Sequence, residues 1–97
     1  MFSRIQKVSK EEFIKKCVNA IYRDEEVNVN KYAKTYVISK RCKLSGVEVR
    51  ASKEGFYGIC QEIYKKLNEI YGDYDNIYLD AEGRKNWVIR ICPIRYR

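Results

Sequence analysis

Two segments of this sequence carry apolar residues at the spacing of an amphipathic helix, and a serine precedes each of them. Ser9 and Glu12 match a capping box, so the first segment predicts a helix over about residues 10–23. Ser52 predicts the start of a second helix, and Gly72 is typical of the left-handed position that ends one. The apolar positions are Phe13, Ile14, Cys17, Val18 and Ile21 in the first segment and Phe56, Ile59, Cys60, Ile63, Leu67 and Ile70 in the second.

Outside these helices, β-branched and aromatic residues alternate with polar ones. Residues 27–51 predict two strands joined as a hairpin by the basic connection 40–46, and residues 77–92 predict a second hairpin. Pro93 predicts an edge or a bulge late in the last strand. The order αββαββ predicts a two-layer α+β fold, with one four-stranded antiparallel or mixed sheet and both helices on one face. A length of 97 residues predicts a single domain covering 1–97.

The residue types exclude most catalytic chemistry. The chain has no histidine, and its five glycines match no phosphate-binding loop. Its four cysteines contain no C-x-x-C pair, which favours reduced structural thiols over a zinc site. We therefore predict no catalytic residues, no metal and no cofactor. Cys42 lies between Arg41 and Lys43, so we expect it to be the one reactive thiol if it is exposed. A metal-dependent hydrolase remains a distant third hypothesis, based on four carboxylates whose spacing fails the calcium-loop pattern: Asp73, Asp75, Asp80 and Glu82.

No apolar run approaches the roughly 20 residues that a membrane-spanning helix needs, and the N-terminal residues 1–10 are too polar for a secretory signal. We therefore expect a cytoplasmic protein with no membrane partner.

Positive charge is concentrated in the two predicted hairpins. Residues 31–53 hold seven Lys and Arg against one Glu, and residues 84–97 hold five against no acid. In one sheet these cations would share a surface that attracts phosphate chains, although an ordinary solvated face has the same composition. The candidate nucleic-acid-binding residues are Lys34, Lys40, Arg41, Lys43, Arg50, Arg84, Lys85, Arg90 and Arg95.

Three tyrosines recur every seven residues on the second predicted helix: Tyr57, Tyr64 and Tyr71. This spacing places them at the rim of the core, with their hydroxyls toward water. They are candidates for a protein interface, and packing at the edge of the core is at least as good an interpretation.

Two functional hypotheses follow. The first is a non-enzymatic binding module that contacts nucleic acid or a nucleoprotein complex through the basic hairpins. The second is a protein-interaction module that inhibits the nucleic-acid machinery of a host by steric blockade. The chain is short and rich in Lys, Ile, Tyr and Asn, and in this it resembles viral and mobile-element proteins such as anti-CRISPR inhibitors. This resemblance implies a host protein as partner, and a homodimer is left open.

Overall fold

The computed structural model describes residues 5–28 and 32–94 as an α+β fold with two helices and two three-stranded sheets. The elements in chain order are β1 (Gln6–Lys7), α1 (Lys10–Val27), β2 (Lys34–Ile38), β3 (Arg41–Cys42), β4 (Val47–Glu48), α2 (Lys53–Tyr71), β5 (Asp75–Glu82) and β6 (Asn86–Pro93). Within the described ranges, neither helix is long and apolar enough to cross a lipid bilayer.

Both helices begin where the sequence predicts. The Ser9 Oγ accepts a hydrogen bond from the Glu12 backbone N–H at 3.2 Å, and the Ser52 Oγ accepts one from the Gly55 N–H at 3.0 Å. Each serine thus satisfies a donor that the helix cannot pair internally. The two helices pack against each other, with the Phe13 and Phe56 rings edge to face at 6.2 Å.

Helix α1 is longer than predicted and includes Val27, which the alternation had assigned to a strand. Its last turn is held by polar contacts with β2. The Tyr36 hydroxyl lies within hydrogen-bonding distance of Asp24 and of the buried Glu25, and the Lys34 ammonium pairs with Asp24. These contacts connect residues 10 to 12 positions apart, so local periodicity did not reveal them.

Helix α2 ends at Tyr71, but Gly72 does not adopt the predicted left-handed conformation, since its φ and ψ are −60° and −25°. A Cβ at Gly72 would lie 2.4 Å from the Asn68 carbonyl oxygen, so the close backbone approach favours glycine here. Ile70 is also not a core residue, because it is 42% exposed and Tyr71 is buried instead.

The structure differs from the predicted single four-stranded sheet. The second hairpin is confirmed, since β5 and β6 pair antiparallel. Strand β2, however, pairs with β6 rather than with a neighbour across residues 40–46, giving the order β2-β6-β5. Tyr36 and Ile38 of β2 thereby join Ile89 and Ile91 of β6 in one buried apolar face. This sheet is called the large sheet below.

Strands β1, β3 and β4 form a separate small sheet in the order β1-β4-β3. Strand β4 pairs with β3 across a tight turn in which the Gly46 N–H donates to the Cys42 carbonyl and Gly46 has a φ of +71°. β6 is the central strand of the large sheet rather than an edge strand, but its last residue, Pro93, pairs only with Asp75 of β5. Strand β2 begins opposite Ile91, so Pro93 interrupts no hydrogen bond to it.

The inner face of the large sheet contributes to the core, and helix α2 contacts β5 and β6. The opposite face is exposed or half-exposed and is called the outer face below. Its residues are Thr35, Val37, Asn76, Tyr78, Asp80, Val88, Arg90 and Cys92.

All four cysteines are free thiols, but their exposure differs from the prediction. Cys42 is completely buried with Cys17 and Cys60, whereas Cys92 is partly exposed. The Cys17 thiol also lies 3.4 Å from the Ser45 hydroxyl. The expected reactivity of Cys42 required an exposed thiol, and its complete burial removes that condition.

Candidate functional site

One pocket lies where three separate segments of the chain meet, and its volume is about 930 Å³. The segments are the loop after β2, the first turns of α2 and the turn between β5 and β6. The charged and aromatic residues that line it are Lys40, Arg41, Lys53, Glu54, Phe56, Tyr57, Arg84, Lys85 and Trp87. It is called the basic pocket below.

Positive charge dominates the basic pocket. Five cationic side chains line it, from Lys40, Arg41, Lys53, Arg84 and Lys85, against the single carboxylate of Glu54. The ion pairs in the described part of the chain are Lys16 with Glu12 and Lys34 with Asp24, and neither involves a lining residue. The field at this surface is therefore positive and suits an anionic ligand.

The start of α2 adds to this field. The first backbone N–H groups of a helix have no partner within the helix and carry partial positive charge. At the start of α2, the Ser52 hydroxyl accepts a hydrogen bond from one of them, the N–H of Gly55. Lys53 lies in the first turn, where a cation opposes the helix dipole. Its position is thus unfavourable for the helix but adds to the attraction for an anion.

The β5–β6 turn places two more cations at the pocket. Glu82 and Asn86 are the last paired residues of the hairpin, so Gly83, Arg84 and Lys85 form the turn itself. Gly83 has a φ of +63°, a conformation that glycine adopts without strain. The short turn holds Arg84 and Lys85 close to the strand that carries Trp87.

An aromatic pair lies among these cations. The Tyr57 and Trp87 ring centroids are 4.6 Å apart, with 37° between the ring planes. Tyr57 is 39% exposed and Trp87 is half-buried against the core, while the adjacent Phe56 is buried. The pocket therefore combines apolar ring surface with positive charge.

Of the residues predicted to bind nucleic acid, four line the basic pocket: Lys40, Arg41, Arg84 and Lys85. They come from both predicted basic segments, 31–53 and 84–97, although these segments do not form the single sheet that the prediction assumed.

The structure places the other predicted cations elsewhere. The Lys34 ammonium pairs with Asp24 and lies 5.8 Å from the centroid of the Tyr36 ring. Lys43 is exposed in the β3–β4 turn, and Arg50 is exposed before α2. Arg90 lies on the outer face, and Arg95 is outside the described residues.

The three tyrosines of α2 do not share one surface. Tyr57 lines the basic pocket, and Tyr64 packs partly buried against the core. Tyr71 is buried and stacks on Tyr22 at 6.4 Å, so its predicted water-facing hydroxyl is wrong. That hydroxyl is buried without a hydrogen-bond partner among the described residues, and burial together with the nearby Glu25 raises its pKa to about 12.

Among the pocket's cations and its aromatic pair, Lys53 and Trp87 were not predicted as site residues from the sequence. Lys53 directly follows the capping Ser52, and Trp87 follows the Arg84 and Lys85 turn by two residues. An aromatic residue next to a basic turn was therefore the available signal for Trp87.

The four carboxylates considered for a metal site lie outside the basic pocket. Within residues 5–28 and 32–94, no group of three or more acidic or cysteine side chains has the geometry to hold a metal ion. Asp75 is buried, and the other three carboxylates of the hydrolase hypothesis, those of Asp73, Asp80 and Glu82, are exposed.

Comparison with known proteins adds no relative to this description. No protein-family model matches the chain, and no curated protein or solved structure is significantly similar to it.

Proposed function

We propose that this protein is a small, basic, non-enzymatic binding module that holds nucleic acid, either free or within a nucleoprotein complex, at the basic pocket. One observation carries the proposal: five cationic side chains from three chain segments line the same pocket as an aromatic pair, with a single carboxylate among them. Cations that converge in this way bind phosphate chains by releasing condensed counterions, and aromatic rings bind bases.

The proposal includes no catalytic step, no metal and no cofactor. We place the binding in the cytoplasm, where a reducing environment suits a chain whose four cysteines are free thiols. The nucleic acid of a host cell, or a host nucleoprotein, is the partner that fits a viral or mobile-element origin.

The experiment measures the affinity for a short labelled oligonucleotide at increasing salt concentration. Each phosphate contact to a single strand contributes a slope of about −0.7 in a plot of log K against log salt. Five contacts therefore predict a slope of about −3.5, or roughly a hundredfold loss of affinity between 50 and 200 mM salt.

Arg41 and Lys43 provide a matched pair of variants. Both are exposed, they lie two residues apart, and only Arg41 lines the basic pocket. Arg41→Glu is expected to weaken binding by about tenfold and to make the salt slope shallower by about 0.7. Lys43→Glu changes the net charge equally and is expected to change affinity by less than about threefold. Equal effects of the two variants would contradict a defined site, and no binding at low salt would end the proposal.

A second candidate function, that of a protein-interaction module, is supported by the outer face. Val37 and Tyr78 are 44% and 48% exposed there, and Arg90 and Asp80 supply both signs of charge. A surface with an apolar part and both charges can complement itself, so a second copy of this chain is the occupant that we assign to it. Val37→Asp is then expected to convert a dimer seen by light scattering into a monomer. A monomeric wild-type chain would exclude this dimer.

A further inference from the structure

We infer that the basic pocket selects single-stranded nucleic acid, by stacking one unpaired base on the Tyr57–Trp87 pair while neighbouring phosphates contact the surrounding cations. The inference rests on the proposed function and specifies its ligand.

The geometry of the aromatic pair defines where the base binds. The ring centroids are only 4.6 Å apart, so no base fits between the two rings. Tyr57 nevertheless has 39% of its surface exposed, and both rings line the pocket. A base therefore stacks on the free ring surface that faces the pocket, rather than intercalating between the rings.

The pocket is large enough for this ligand. Its volume of about 930 Å³ lies within the range of roughly 300–1,000 Å³ that is common for small-molecule sites. A base in a duplex already has its two faces stacked on its neighbours and presents only its edges. The exposed ring surface is thus usable by an unpaired base and not by a paired one.

Cations lie beside the aromatic pair at the end of β6 that meets the hairpin turn. Ile38 is the strand partner of Trp87, and the antiparallel β2 leads from it toward the hairpin turn, through Lys40 to Arg41 at the start of β3. Arg84 and Lys85 lie three and two residues before Trp87 in the hairpin turn. Both groups of cations therefore lie at the same end of Trp87, where they can contact the phosphates next to a base that stacks on the pair.

Trp87 is the only tryptophan in the chain, so its fluorescence reports on this site alone. The experiment titrates the protein with a short single-stranded oligonucleotide, the matching duplex and an abasic oligonucleotide of equal length. The single strand is expected to quench Trp87 strongly and to bind about tenfold more tightly than the abasic strand, since a stacked base strengthens binding to that extent. The abasic strand has the same phosphates and is expected to bind with little quenching, as is the duplex.

Tyr57→Leu removes one ring without changing the charge of the pocket. It is expected to weaken single-strand binding by about fivefold or more while leaving duplex binding unchanged. Tyr78→Leu is the matched control, because Tyr78 is similarly exposed but lies on the outer face, and it is expected to have no effect. The quenching measurement uses the unmodified protein, so the test holds even if a variant folds poorly.

Each result has a distinct meaning. Equal affinity and equal quenching for single strand, duplex and abasic strand would overturn the stacking inference but leave the pocket as a phosphate-binding site. Binding to none of the three would refute the proposed function itself. In a parallel titration with an acidic peptide, binding of the peptide in preference to any oligonucleotide would assign the pocket to a protein ligand and overturn both.

Discussion

Replacing Leu67 by alanine tests whether α2 packs in the register described here. Leu67 is completely buried in the core between α2 and its neighbours. The substitution removes three buried carbon atoms and leaves a cavity that the surrounding side chains fill only in part. We expect the free energy of unfolding to fall by about 2 to 5 kcal/mol.

This loss is large for a domain of this size, whose total stability is typically about 5 to 15 kcal/mol. Urea unfolding measures it as a lower midpoint with an unchanged m-value. In thermal unfolding, the melting temperature is expected to fall by about 4 to 8 °C for each kcal/mol lost.

Ile70→Ala is the matched control in the same helix. The apolar spacing of the sequence places Ile70 in the core stripe, whereas the structure leaves it 42% exposed. Its replacement is expected to cost less than about 1 kcal/mol, since alanine also favours the helix. A loss for Leu67→Ala below about 0.5 kcal/mol, or equal losses for the two variants, would refute this register.

Three further predictions concern the titratable groups and thiols. A thiol reagent is expected to label Cys92 in the native protein and the three buried cysteines only after unfolding, as counted by mass. Burial raises the pKa of Cys60 and of Tyr71 to about 12, from 9.0 and 10.0. The neutral forms of both groups are therefore compatible with the fold below about pH 9, and the free energy of unfolding falls as the pH rises toward 12. Urea unfolding midpoints measured over this pH range would detect the loss. The hydrogen bond from Lys34, and to a smaller extent that from Tyr36, lowers the pKa of Asp24. The ionised Asp24 therefore stabilises the fold at pH values above its ordinary pKa of 3.8, and this stabilisation is lost as the pH falls through its lowered pKa. Asp24→Asn is expected to remove that acid dependence.

Local signals predicted the helices and the second hairpin because the residues that specify them are adjacent in the sequence. The Ser9 and Ser52 hydroxyls cap donors only three residues away. Gly83 likewise closes the β5–β6 turn with its own positive φ. The partner of β2 could not be predicted in this way, because Tyr36 pairs with Ile89 more than fifty residues later.

The basic pocket was predictable only in part, for the same reason. The charge count identified Lys40, Arg41, Arg84 and Lys85 as candidates, and they line the pocket. It did not distinguish them from Arg90, which lies on the outer face. Strand alternation separates the residues of a sheet into two faces, but it does not show which of the two faces a helix covers.

Lys34 was also indistinguishable from the pocket cations in the sequence. Its ion pair with Asp24 connects β2 to the end of α1, and the extension of α1 beyond residue 23 was not predicted. The contact therefore depends on tertiary structure that the local pattern does not contain.

A titration of the nitrogen-15-labelled protein with a single-stranded oligonucleotide, followed by backbone and indole N–H chemical shifts, tests the central claim most directly. The claim predicts that the largest shifts occur at Arg41, Lys53, Lys85 and the Trp87 indole, the residues that surround the basic pocket. Shifts concentrated instead on the outer face, around Tyr78 and its neighbours in the large sheet, would contradict it.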